Sequence, residues 1–209
     1  MATQLTWEDI AKFVEEVHAK EGTDRVDQTH YRALFRRCIG EIFRRTEAYD
    51  TSWHNGAGGQ LTLAGNECAL PIDCVRVVRA EWDGDDNPLE MKGEAQLDVE
   101  ESGWRSAAGT PSACCVTGRR LLLNAAPTGD AAGKLVVRGV GIPAEDEALQ
   151  YLPVDLQWAP ADYVLGKLPV DPGNARSVAR QQWHEVQWRE QRERLLAGVR
   201  SRAMREYGY

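Results

Sequence analysis

The chain has 209 residues, is 43% hydrophobic and 27% charged, and carries a formal charge of −7. That is enough chain for one elaborated domain or two small ones with real cores. No stretch approaches the roughly 18 consecutive apolar residues of a membrane span, and Met1–Asp9 lacks a basic segment leading into an apolar run, so a membrane partner is not expected and synthesis in a cytoplasm is.

The charge is uneven. Residues 174–209 hold eight arginines, no lysine and four glutamates, a local +4, which leaves seventeen basic against twenty-eight acidic residues (−11) on the rest. An acidic body with an arginine-only tail points to a tail that docks on something acidic.

In chain order, Thr6 and Asp9 have the spacing of a capping box, and Ile10, Phe13, Val14 and Val17 recur at helical intervals. A first helix is predicted from Trp7 to about Ala19, ending near Gly22. A second opens after Asp27 or Thr29 and ends by Tyr49. Its stripe is Tyr31, Leu34, Phe35, Cys38, Ile39, Ile42 and Phe43, with Arg32, Arg36, Arg37, Arg44 and Arg45 mostly off it. Asn55-Gly56-Ala57-Gly58-Gly59 then breaks the chain and reads as a flexible boundary; no Lys-Ser/Thr pair follows it to hold a nucleotide phosphate.

From Leu61 to Val140, short β-branched or leucine runs alternate with Gly, Pro, Asp and Asn, and five to seven strands are expected. Thr117-Gly118 suits a hairpin between Ser112–Val116 and Arg120–Asn124, and Gly129 to Gly133 suits the next turn. Arg76, Arg79 and Glu81 interleave with Val75, Val77 and Ala80, which predicts one wet or partner-facing side. Beyond Pro143 lies the acidic Glu145-Asp146-Glu147, then a helix around Tyr163, Val164, Leu165 and Leu168 that stops at Pro169; Pro160 either opens or kinks it. Pro172-Gly173-Asn174 is a turn and N-cap, and the final helix runs to about Arg202, with Val178, Ala179, Trp183 and Val186 on its buried side. The fold class is therefore α+β: a bundle of about four helices with an inserted antiparallel β-sheet or sandwich, divided as a helical arm (1–55), a β module (56–143) and C-terminal helices with a basic tail (144–209).

Little in the chain points to chemistry. The five cysteines (38, 68, 74, 114 and 115) are odd in number and lack CxxC spacing, so they read as small buried hydrophobes; Cys114 and Cys115, adjacent in a strand, face opposite ways. Asp83–Asn87 begins like an EF-hand loop and has Glu94 at position twelve, but Pro88 stands where the loop needs Gly, so a hairpin turn between strands is the better account. His18, His30, His54 and His184 show no metal spacing, and His184 is expected to be exposed or interfacial. No catalytic, metal-binding or cofactor-binding residue is assigned. Core packing accounts for most of the seven tryptophans, with a few left for subunit contacts.

The order of features resembles the head-to-tail adaptor (connector) proteins of tailed bacteriophages, the type with a β insertion between helices. The resemblance spans roughly residues 5 to 190. It rests on Leu70-Pro71-x-Asp73-x-Val75-Arg76-Val77, Trp82-Asp83-Gly84, Pro88-Leu89, Trp104, Gly109-Thr110-Pro111, Leu122–Pro127, Leu135–Val140, Leu152-Pro153 before a helix with Tyr163, and a long helix with Ala179 and Trp183. Two features depart from the family pattern: Pro160 interrupts the usual helix, and Ser112-Ala113-Cys114 replaces aromatic residues after Gly-Thr-Pro.

The resemblance implies a non-enzymatic virion protein of the neck. It would form a cyclic, typically dodecameric ring with itself under the portal protein, extend the DNA channel without reading sequence, and offer a platform for tail (nozzle or tail-tube) proteins. Under that reading, Arg189, Arg192, Arg194, Arg200, Arg202, Arg205, Tyr207 and Tyr209 are portal-docking candidates on a tail too thinly apolar to hold a helix until bound. Glu145, Asp146 and Glu147 are candidates for an acidic channel wall. Alternatives are another neck or tail-completion protein of a phage, or an enzyme or small-molecule-binding module.

Overall fold

The computed structural model describes residues 5–19, 27–84 and 87–207. It is a mixed α+β protein of two compact units: residues 1–49 with 142–209, whose described elements are helices, and residues 50–141, which hold all the strands among the described residues. The N- and C-terminal helices thus belong to one unit rather than to separate arms.

In the helical unit, α1 (Trp7–Ala19) opens on the predicted capping box. The Thr6 N–H donates to Asp9 Oδ2 at 2.9 Å and the Asp9 N–H returns to Thr6 Oγ1 at 3.3 Å. Bonds from the Thr6 backbone and hydroxyl hold the Asp9 carboxyl below its usual range. The predicted stop near Gly22 lies outside the described residues. α2 (Gln28–Thr46) is capped by Asp27, whose side chain accepts from the Thr29 N–H, and ends at Glu47 in the left-handed region. Its stripe is buried as spaced: Tyr31, Phe35, Cys38, Ile39, Ile42 and Phe43 lie in one cluster with Trp7 and Ile10 of α1.

After the β unit come α4 (Glu145–Tyr151), α5 (Ala159–Lys167) and α6 (Ala175–Tyr207), so the described residues of this unit form five α-helices, where about four were expected. The acidic run Glu145–Glu147 is itself the first turn of α4, where carboxylates are favoured by the helix dipole. Pro160 opens α5 rather than kinking it, because its missing N–H falls where a helix needs none. Asn174 caps α6 as expected, its side chain accepting from the N–H groups of Arg176 and Ser177.

The buried side of α6 differs from the prediction. Ser177, His184, Trp188, Leu195, Val199 and Ala203 face inward, while Trp183 is 55% exposed and Ala179 and Val186 also face solvent. Both stripes have helical spacing. The inward one wins because His184 Nδ1 lies 2.8 Å from Asp162 Oδ1 of α5, which satisfies a buried polar side chain, and because Leu195 and Val199 extend it. His184 is accordingly buried, not exposed. Close approach relies on two glycines: a Cβ on Gly166 would lie 2.9 Å from Glu185 Cγ, and one on Gly198 would lie 2.2 Å from Pro153 Cγ.

The β unit starts at Asp50, earlier than residue 56. β1 (Asp50–His54) pairs antiparallel with β8 (Leu135–Val140), which also pairs with β4 (Arg76–Trp82), for a three-stranded sheet in the order β1-β8-β4. The Asn55–Gly59 segment is a closed loop inside this unit rather than a boundary. The Gly59 N–H bonds to the Gly56 carbonyl, and a Cβ on Gly59 would strike the His54 carbonyl at 2.0 Å.

The second sheet has five strands in the order β2-β3-β7-β6-β5, formed by β2 (Thr62–Ala64), β3 (Glu67–Ala69), β5 (Glu90–Met91), β6 (Ala113–Thr117) and β7 (Arg120–Leu123). It is not wholly antiparallel, because β5 runs parallel to β6. The hairpin at Thr117-Gly118 is as predicted, with Thr117 opposite Arg120 and Gly118 at φ 60°. The Gly129–Gly133 segment instead carries the chain from the second sheet to the first.

Trp53, Ala80, Trp82, Leu135 and Val137 of the first sheet share one apolar cluster with Cys68, Cys114, Leu121 and Leu123 of the second. The other face of the second sheet packs Ala113 and Cys115 against Leu97 of α3 (Glu94–Glu100) and Trp104. Cys114 and Cys115 thus point to opposite faces, as alternation requires. The turn after Asp83 joins β4 to β5, so strands flank it as expected: the Trp82 N–H bonds the Asn87 carbonyl, Glu81 pairs antiparallel with Pro88, and Asp83 and Gly84 take positive φ; α3 follows only after β5.

The expected wet side of β4 is only partly so. A bulge between Val77 and Arg79 shifts the register, and Glu81 is 1% exposed with Oε1 bound by Arg79 at 2.7 Å and Arg138 at 3.1 Å.

All five cysteines are free. Burial pushes the thiol of Cys38 well up, that of Cys68 to about 11 and that of Cys114 to about 12, so their thiolates are scarce at neutral pH. With a thiol reagent at pH 7, half-buried Cys74 is expected to react first, and the other four only after denaturant is added. Rapid native labelling of Cys114 or Cys115, followed by mass spectrometry, would contradict this packing.

Candidate interaction surface

The arginine-rich segment from Arg189 is not a loosely held tail. It is the second half of α6, and Leu195, Leu196, Val199 and Ala203 are buried in the cluster that holds Phe35 and Leu152. The expectation of a segment that orders only on binding is therefore corrected: a five-residue apolar stripe with Trp188 has its own partners within the unit.

The predicted docking residues divide by environment. Arg192 bonds Glu193 at 2.9 Å and reaches Glu41 of α2 at 3.7 Å. Arg194 bonds Asp155 at 2.8 Å, Arg200 donates to the Arg45 carbonyl at 2.8 Å, and the Arg202 guanidinium lies 5.4 Å from the Tyr151 ring centre. Arg189 and Arg205 are exposed. Tyr207 is the last residue of α6, and Tyr209 lies outside the described residues.

Glu145, Asp146 and Glu147 are also engaged internally. Glu145 is approached by Arg32 at 2.9 Å and Arg36 at 2.5 Å. Asp146 accepts the Trp7 N–H at 2.7 Å, which caps the start of α1, and Glu147 accepts the Tyr49 hydroxyl at 2.9 Å. The structure thus gives them the role of fastening α4 to α1, α2 and Tyr49, which the expectation of a free acidic cluster did not foresee.

Two charged surfaces stand out that the sequence reading did not assemble. The first follows the seam between α2 and α6. At one end is a cleft of about 320 Å³ lined by Arg37, Glu41, Lys167, Arg189 and Arg192 over Tyr163 and Trp188, whose rings meet edge to face at 5.1 Å. Farther along, Arg45, Glu193 and Arg200 line a second depression. The seam carries six cations (Arg37, Arg45, Lys167, Arg189, Arg192 and Arg200) against four carboxylates (Glu41, Asp162, Glu185 and Glu193), with Lys167 paired with Glu185 at 3.0 Å and Asp162 with His184. Arg37 and Arg189 make no hydrogen bond or ion pair among the described residues.

The second surface, in the β unit, is built on α3 and β5. Lys92 holds Glu90, Glu100 and Glu101 at 3.0–3.2 Å, and Arg105 holds Glu94 and Asp98. Hydrogen bonds from Arg105 and Thr117 keep the Glu94 carboxyl low, and bonds from Trp104 and Arg105 do the same for Asp98. Five carboxylates thus face two cations, and Val99 of α3 is 84% exposed.

Of the seven tryptophans, five are buried and two, Trp158 and Trp183, are about half exposed on the helical unit. Among the described residues no group of three or more His, Cys, Asp or Glu is placed to hold a metal ion, and no helix is long and apolar enough to cross a membrane. The buried His184–Asp162 pair is the arrangement closest to acid–base machinery, and among the described residues no hydroxyl or thiol is hydrogen-bonded to that imidazole. Compared with known protein families and with curated proteins, the chain matches none.

Proposed function

We propose that this chain is a structural adaptor of a tailed-phage neck: a helical bundle carrying an inserted β-sandwich, assembled as a ring between the portal protein and the tail. It would line the DNA path without reading sequence and would carry out no catalysis. The observation that carries the reading is the chain order, two helices, then the whole strand-bearing unit, then three helices.

The motifs of the resemblance fall at structural junctions in that order. Leu70-Pro71 leads into β4, Gly109-Thr110-Pro111 into β6, and Leu152-Pro153 into α5. With the C-terminal half of α6 folded into the helical unit, portal docking in this proposal belongs to a pre-formed helix face, with Arg205 as an exposed cation on it.

Native mass spectrometry of the protein with and without the portal protein of the same virus tests the proposal. A closed, high-order ring in the presence of the portal is the expected result, because identical head-to-tail contacts close into rings. A chain that stays monomeric beside an assembled portal, and is missing from the portal–tail junction of virions by electron microscopy, would overturn it.

A further inference from the structure

We propose that the arginine seam of α2 and α6 is a docking surface for a second copy of this chain, and that the occupant is the acidic α3–β5 layer of that copy. The inference deepens the ring reading and rests on it.

The argument starts from charge. The seam has two more cations than carboxylates, and the α3–β5 layer has three more carboxylates than cations. The two surfaces are opposite in sign, and they lie on different parts of the chain. A head-to-tail contact between identical subunits requires two such unlike, complementary patches. In a chain of net charge −7, copies repel at long range unless the rare basic surface meets an acidic one.

Local chemistry matches as well. Arg37 and Arg189 have no carboxylate of their own, and a guanidinium fork binds a carboxylate through two parallel hydrogen bonds. They line the same cleft as the paired rings of Tyr163 and Trp188. On the other surface, Glu90 and Glu100 are 66% and 46% exposed and share the single cation Lys92. Val99, on the same helix, is an exposed apolar side chain of the kind that interface cores bury.

The test uses the full chain and two double variants, Arg37→Glu/Arg189→Glu and Glu90→Lys/Glu100→Lys, each checked for folding by circular dichroism. Sedimentation velocity over a wide concentration range reads self-association. Wild type is expected to associate at about 50 mM salt and to weaken at about 500 mM, where screening is stronger. Each double variant should raise the dissociation constant roughly tenfold or more, and an equimolar mixture of the two should recover association because the reversed surfaces match again.

Absence of self-association by wild type at any concentration in low salt overturns the proposal, as does association that neither variant changes. The outcome is separable from the adaptor reading. If both variants still form a ring on the portal, this contact is wrong and the adaptor stands. If wild type pairs through these residues yet never joins a portal, the contact stands and the adaptor reading fails.

Discussion

Replacing Leu195 with Ala is expected to destabilise the helical unit by about 2–5 kcal/mol, the range for deleting a fully buried leucine side chain from a core that relaxes only in part. Leu195 has no exposed surface and lies in the cluster that contains Phe35, Ile39, Leu152 and Val164. Domains are typically stable by only about 5–15 kcal/mol, so the loss is large. The exposed control, Arg194→Ala, breaks one ion pair to Asp155 whose two side chains are each about two-thirds exposed, and it should cost no more than about 1 kcal/mol. Urea titration followed by far-ultraviolet circular dichroism measures both. Near-equal midpoints for Leu195→Ala and wild type would mean that the second half of α6 is not part of the core, and would restore the picture of a loosely held basic tail. The same packing implies that truncation before Leu195 damages the fold, so loss of portal binding in such a fragment would not by itself locate a docking site.

Much of the helical frame is legible in the residues. The Thr6/Asp9 box, the Asp27 and Asn174 caps and the seven-position stripe of α2 depend on neighbours three or four residues away, and all appear as spaced. The Thr117-Gly118 hairpin and the opposite facing of Cys114 and Cys115 are equally local.

What the sequence hides is set at long range. β1 reads Asp-Thr-Ser-Trp-His, with one apolar residue, and is a strand because β8, some eighty residues later, supplies its ladder. α3, seven residues with one buried side chain, is too short for periodicity to show. α4 did carry a signal, three acids at the start of a helical turn, but at seven residues it too is short for periodicity to show.

The docking residues show the same division. Counting arginines finds the basic segment, but whether an arginine is available depends on partners distant in sequence: Glu41 for Arg192, the Arg45 carbonyl for Arg200, Asp155 for Arg194. On α6 two stripes compete with equal spacing, and the outcome turned on Asp162 of α5 waiting for His184. The exposed Trp183 is the counterpart of that choice: an aromatic residue on a helix reads as core unless the neighbouring helix is known.

Acid should weaken the helical unit through Glu145. Burial alone would raise this carboxyl, but hydrogen bonds from Arg32 and Arg36 overcome that cost and hold it at about 2, below the ordinary 4.5. A carboxyl whose pKa is lowered by folding stabilises the folded state fully above about pH 4.5, where it is ionised in both states. The contribution declines as pH falls from about 4.5 to about 2 and is absent below that, once the folded carboxyl is protonated too. At about 1.4 kcal/mol per pH unit the ceiling is about 3 kcal/mol, and because both arginines are half exposed and open to salt and water, about 1–2 kcal/mol is expected. Glu145→Gln should therefore be less stable than wild type at pH 7 by that amount, with the gap narrowing toward pH 2 and shrinking in about 1 M salt. Denaturant titrations of both proteins at several pH values measure the gap directly. A gap that stays constant from pH 7 to pH 2 would show that the side chain acts through its shape and neutral hydrogen bonds, and that the two arginines of α2 are not what fastens α4 in place.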